Sequence, residues 1–136
     1  ERLTRAQPPI GTRTWAGHRG YLRQAYGPGW ALVGDAGYFK DPITTHGMTD
    51  ALRDAELLAD ATLAMLSGSE ETSVLAEYEH TRDRLSNDMF NVTEAVAAYD
   101  WELDRVRHLL REVSSAMGDE VDHLQALPQR PGVPAT

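Results

Sequence analysis

The 136-residue sequence predicts a short strand-bearing first third followed by a mainly α-helical remainder, the whole forming part of a larger α/β fold. Three observations predict this. Trp30-Ala31-Leu32-Val33 is an apolar run bounded by Gly29 and Gly34, the pattern of a strand buried on both faces as in a parallel sheet. From Met48 onward the apolar residues recur at spacings of three and four, the period of one helix face. No second run of the buried-strand type follows in residues 34–136, so the neighbouring strands are expected upstream.

Residues 1–30 are broken by Pro8-Pro9, Gly11, Gly17, Gly20 and Gly27-Pro28-Gly29, leaving room for short strands over 11–15 and 21–26. Strands this short need neighbours to pair with. The first helix begins near Met48, and its stripe reads Met48, Ala51, Leu52, Ala55, Leu58, Ala59, Thr62, Leu63 and Leu66. Gly68 is its expected C-terminal stop. A second helix is expected over 70–87, with Val74, Leu75, Tyr78, Leu85 and Met89 on one side, and a third over 92–99. Asp100 is the expected cap of a fourth over 101–117, stopped by Gly118, with a further helical turn over 119–127. The Pro-rich segment 128–136 reads as a loose tail.

Composition narrows the function classes. The formal net charge of −8 argues against nucleic acid and anionic membrane surfaces, which require clustered Lys and Arg. With no Cys in the chain, disulfide scaffolds, thiolate zinc sites and Cys nucleophiles are excluded. No stretch is long and apolar enough for a membrane span, and the N-terminus lacks a secretory pattern, so the expected setting is the cytoplasm. The chain opens on Glu1 rather than Met and is expected to belong to a longer polypeptide.

The segment from Val33 to Thr49 carries the chemistry. Gly34 lets backbone come close to a neighbour, and Asp35 presents two acceptor oxygens at the end of the apolar run, suited to sugar or ribityl hydroxyls. Pro42 fixes its own φ and biases Asp41 toward extended geometry. Gly47 opens the next helix. The first amides there, at Gly47, Met48 and Thr49, have no intrahelical acceptor and favour a negative group by about 0.3–1 kcal/mol.

Gly34-Asp35-Ala36, Pro42, Gly47 and Asp54-Ala55 ahead of Leu58-Ala59 resemble the Gly-Asp motif region of FAD-dependent monooxygenases of the para-hydroxybenzoate hydroxylase fold. The likeness is specific over 29–66 and weaker through Tyr78, Arg82-Asp83 and Thr93-Glu94-Ala95. It implies a glutathione reductase-like FAD-binding fold. Residues 1–28 would close a substrate-domain sheet and return from it. Residues 29–68 would be the motif's strand, loop and helix, 69–127 the C-terminal helices, and 128–136 a flexible tail. It implies non-covalent FAD, with Gly34 and Asp35 at the ribityl chain and pyrophosphate, Pro42 beside the isoalloxazine, and the amides of Gly47, Met48 and Thr49 facing N1 and O2. It also implies NAD(P)H as reductant, a small-molecule substrate, and oxygen transfer through a flavin C4a-hydroperoxide. No G-x-G-x-x-G follows a strand here, so the resemblance places the ADP-binding half outside this chain, which alone is expected to be inactive.

The sequence departs from that motif at Gly37, Tyr38, Thr44 and Thr49, which bears on substrate and reaction subtype. Flavin-dependent halogenases and polyprenyl reductases of the same fold are the alternatives. A helical interaction module beyond Ser69 is another. A di-iron carboxylate bundle is the remote one, from Glu77-x-x-His80 and Glu120-x-x-His123 with Glu56 and Glu102. Helical spacing turns Glu77 and His80 away from the Val74, Tyr78, Leu85 and Met89 side, and the last helix is expected to be too short for a bundle. Asp54 reads as a capping-network acid, Lys40 and Asp41 as loop charges, and His46 as a solvated loop residue. The runs Arg82-Asp83-Arg84 and Asp104-Arg105-Val106-Arg107 read as solvated faces, and Trp15, Trp30 and Trp101 as packing residues.

Overall fold

The computed structural model describes Gly11 and residues 17–127; most of the expected 11–15 strand and the whole 128–136 tail lie outside them. The described residues form three long helices preceded by short antiparallel strands. The strands are β1 (Tyr21–Leu22), β2 (Tyr26–Gly27), β3 (Trp30–Ala31) and β4 (Tyr38–Phe39). The helices are α1 (Gly47–Leu66), α2 (Glu71–Ala97) and α3 (Leu103–Ala126).

The apolar run at Trp30 is not a buried parallel strand. Gly27-Pro28-Gly29 turns the chain, with Gly29 at φ 76°, and β3 folds back antiparallel on β2 with Tyr26 opposite Ala31. Partners three and five residues away are reached at almost no loop-closure cost, so the local hairpin wins. Trp30 is 46% and Val33 36% exposed. In the same way β1 pairs antiparallel with β4, Tyr21 opposite Phe39.

α1 ends where Gly68 predicts. At φ 101° it lets Ser69 N–H donate to Ala64 O (3.0 Å) and Gly68 N–H to Met65 O (2.9 Å), a Schellman closure. The Glu70 carboxylate then accepts from the Thr72 and Ser73 amides and starts α2.

The expected second and third helices are one. No Gly or Pro interrupts α2, and its buried side continues at threes and fours through Leu75, Tyr78, Arg82, Ser86, Met89, Thr93 and Val96. α3 likewise passes through Gly118, so the expected stop there is wrong. A helical Gly costs about 1 kcal/mol, and the extra turns carry Glu120 into a buried hydrogen-bonded position that offsets it.

α2 is the central helix. Its first half packs Leu75 and Tyr78 against Ala25 and Ala61 of the hairpin side and α1. Its second half packs Met89, Val92 and Val96 against Leu109 and Ala116 of α3, with Trp101 at the edge. Along α2, the polar Arg82 and Ser86 lie between these apolar groups. No helix among the described residues is long and apolar enough to cross a membrane.

Candidate functional site

Gly34–Ala36 forms a single 3-10 turn after β3, and Gly34 has φ 54°. A Cβ on Gly34 would stand 2.8 Å from the Ala51 Cβ. Only glycine lets this turn lie directly on α1. Asp35 and Ala36 are exposed beside it. Asp41 then takes φ −55°, ψ 134°, as the following proline dictates, and its carboxylate accepts from Ile43 N–H. Pro42–Thr44 makes a second 3-10 turn, Thr45 sits at φ 55°, and α1 begins at Gly47 with His46 as its N-cap.

Of the site residues named from the sequence, Asp35 and Gly47 are neighbours at the start of α1. A Cβ on Gly47 would lie 3.7 Å from Asp35 Oδ1, so the carboxylate borders the first turn of α1. Met48 and Thr49 are exposed on that turn, Met48 at 82%. Gly34 is buried under the loop, and Pro42 is exposed at its far side. Tyr21 Oη–H donates to the Asp35 carbonyl at 2.8 Å, and Arg23 Nη1–H to the Ala36 carbonyl at 3.0 Å, which ties β1 to the same turn.

What lies beneath the loop departs from the sequence reading. Asp54 is fully buried, and its Oδ2 accepts from Gly34 N–H at 3.0 Å. Lys40 is 6% exposed and pairs with Asp50. His46 is no solvated loop histidine, for its Nε2 meets Glu120 Oε2. Arg53 sits among these groups, 2% exposed, donating to Asp50, Asp54, Glu120 and Ser86. Arg82, read as part of a solvated run, is completely buried. It donates to Asp83 and to the Arg23 carbonyl, and its Nη1 lies 3.0 Å from the place of a Gly37 Cβ.

Charge and burial set the ionisation of these groups. Burial works against ionising the Glu120 carboxyl, yet the His46 and Arg53 hydrogen bonds and charges outweigh it and hold the group below the usual carboxylate range. Burial, then the Arg53 charge, bring the Lys40 ammonium down to about 8 against the pull of Glu120, Asp35 and Asp54. Burial pushes the Tyr38 hydroxyl up, and that hydroxyl donates to the Ser86 carbonyl. Burial likewise lowers His123, aided by Arg84 and Arg53.

His46, Asp50 and Glu120 place ligand-type atoms within 4.8 Å of one another. Lys40, Arg53 and His46 engage all four of the Asp50 and Glu120 oxygens, which makes the cluster an ion-pair network. The di-iron set does not form: Glu77 and His80 are exposed, while Glu120 is engaged by Arg53 and His46. α3 is long enough, contrary to expectation; the outward side of α2 is what removes the ligands.

The sequence did hold a signal for the network. Asp50, Arg53, Asp54, Leu57 and Ala61 recur at threes and fours, and Asp50, Arg53, Asp54 and Ala61 make the buried side of α1. Reading apolar as buried selected much of the opposite side, where Met48 is 82%, Leu52 75%, Leu63 55% and Leu66 80% exposed.

No protein-family model matches this chain, and no curated protein or solved structure is significantly similar to it.

Proposed function

We propose that this chain is the C-terminal portion of an FAD-dependent oxidoreductase, a monooxygenase using NAD(P)H, in which the loop 34–49 holds the flavin. The observation that carries the reading is the 3.7 Å approach of Asp35 Oδ1 to the place a Gly47 Cβ would take. An acceptor for ribityl hydroxyls and the first-turn amides of α1 thus lie side by side near the exposed surface.

When bound, FAD supplies the hydride and oxygen chemistry, and the protein supplies binding, orientation and charge. Asp35 accepts from hydroxyls of the ribityl chain. The amides of Gly47, Met48 and Thr49 donate to the electron-rich side of the ring system and favour negative charge there, by up to about 2 kcal/mol where partly buried. Pro42 keeps the intervening loop stiff. The exposed side of α1, Met48, Leu52, Leu63 and Leu66, is the surface on which the upstream FAD-binding half docks.

The test is the flavin content of the protein joined to its upstream half. The expected product is yellow and stoichiometric in FAD, and Asp35→Ala loses at least about tenfold in FAD affinity. Full flavin occupancy in Asp35→Ala overturns the assignment.

A further inference from the structure

Three carboxylates beneath the loop each act as a bridge. Asp54 gives Oδ1 to Arg53 and Oδ2 to Gly34 N–H. Asp50 gives Oδ1 to Arg53 and Oδ2 to Lys40. Glu120 gives Oε1 to Arg53 and Oε2 to His46. The three gripped residues are the first, the middle and the last of segment 34–46.

Arg53 makes hydrogen bonds from all three nitrogens: Nε to Asp54, Nη1 to Asp50 and Glu120, Nη2 to Asp54 and Ser86. A planar guanidinium can address three carboxylates in fixed directions; a lysine ammonium cannot reach them all. Against the carboxylates Asp50, Asp54 and Glu120 stand the cations Arg53 and Lys40. The remaining negative charge faces His46, which pairs with Glu120.

We propose that Arg53 is the positioning residue of segment 34–46. It holds three carboxylates so that their outer oxygens set Asp35 and the opening of α1 in place before a ligand arrives. Through Glu120 it makes α3 a structural part of the site. Preorganisation of this kind lowers the ordering cost of binding. Only the identity of the ligand rests on the flavin reading.

Hydrogen exchange at the amides of Gly34, Ile43 and Thr45 reports the loop, and amides of Leu75–Met89 in α2 report the core. FAD titration is run on the same protein joined to its upstream half. In Arg53→Lys, FAD affinity falls by about tenfold or more, and loop protection falls by about tenfold or more beyond any loss in α2. Glu120→Gln, a gentler change, leaves an acceptor for Arg53 and loosens chiefly Thr45. Loop protection equal to wild type in both variants overturns the proposal, as does loss in α2 in step with the loop. FAD affinity unchanged in both variants also removes the positioning role while leaving the flavin reading intact. A loop that loosens in a protein that takes up no FAD even as wild type keeps the role of Arg53 and removes the flavin.

Discussion

Arg53 Nη1 and Glu120 Oε1 meet at 2.7 Å although 67 residues separate them, and both are buried. The first helix and the last are therefore joined by charge directly beneath the loop, not only by apolar packing through α2. Buried ion pairs are demanding, because desolvation consumes most of the Coulomb gain, and they hold only where every oxygen and N–H is used. Asp50, Asp54 and Glu120 each have both carboxylate oxygens engaged, and Arg53 donates from all three of its nitrogens.

Removing the hub leaves three buried carboxylates without their shared cation. Arg53→Met is expected to cost about 3–5 kcal/mol of stability in urea titration. A loss below about 1 kcal/mol would show that water reaches the network and relieves it.

Alkaline pH separates the buried lysine from the buried tyrosines. The Lys40 ammonium, about 8 in the folded protein and 10.5 as the ordinary value, binds its proton more firmly in the unfolded chain. Stability therefore rises with pH above about 8. Tyr38 and Tyr78 are both pushed up by burial from 10.0, so they hold their protons in the fold after the unfolded chain has released them. Stability falls again as pH passes 10.0. Urea midpoints taken stepwise from neutral pH to 11 should pass through a maximum near 10, and Lys40→Met should remove the rising limb. A rising limb of the same size in the variant assigns it to another group.

Gly34 and Gly47 are glycines for different reasons. Gly34→Ala brings a Cβ to 2.8 Å from that of Ala51 at φ 54°, and it is expected to lose about 1–3 kcal/mol in thermal or urea unfolding. Gly47→Ala adds a methyl at an ordinary 3.7 Å from Asp35 Oδ1. Its stability should stay within about 0.5 kcal/mol, while FAD affinity falls because the methyl occupies the gap. Equal FAD binding by Gly47→Ala and wild type would place the flavin elsewhere.

The exposed stripe of α1 is tested by charge. Leu52→Glu and Leu63→Glu alter side chains that are 75% and 55% exposed, so unfolding of the chain should shift by no more than about 0.5 kcal/mol. Co-purification of the upstream half, produced as a separate polypeptide, should be lost. Retained association with both variants moves the docking surface off α1.

Elements set by local interactions could be read from residues alone. Gly68 closes α1 through its own neighbours, Asp41 takes the geometry its proline dictates, and the three-four spacing shows the chain to be mainly helical from the start of α1 onward. The nearness of Asp35 to Gly47 also follows, since one short loop connects them. Features that depend on distant partners could not be read this way. The Arg53 network carried α3 past Gly118, and burial fell on Asp50, Arg53 and Asp54 while Leu52 and Leu66 stayed outside. The physical reason is that a charged side chain is costly to bury until its partners are in place, and those partners are Lys40 just after β4, Ser86 in α2 and Glu120 in α3. Local pattern thus determined where the opening lies; only the tertiary fold decided which charges hold it open.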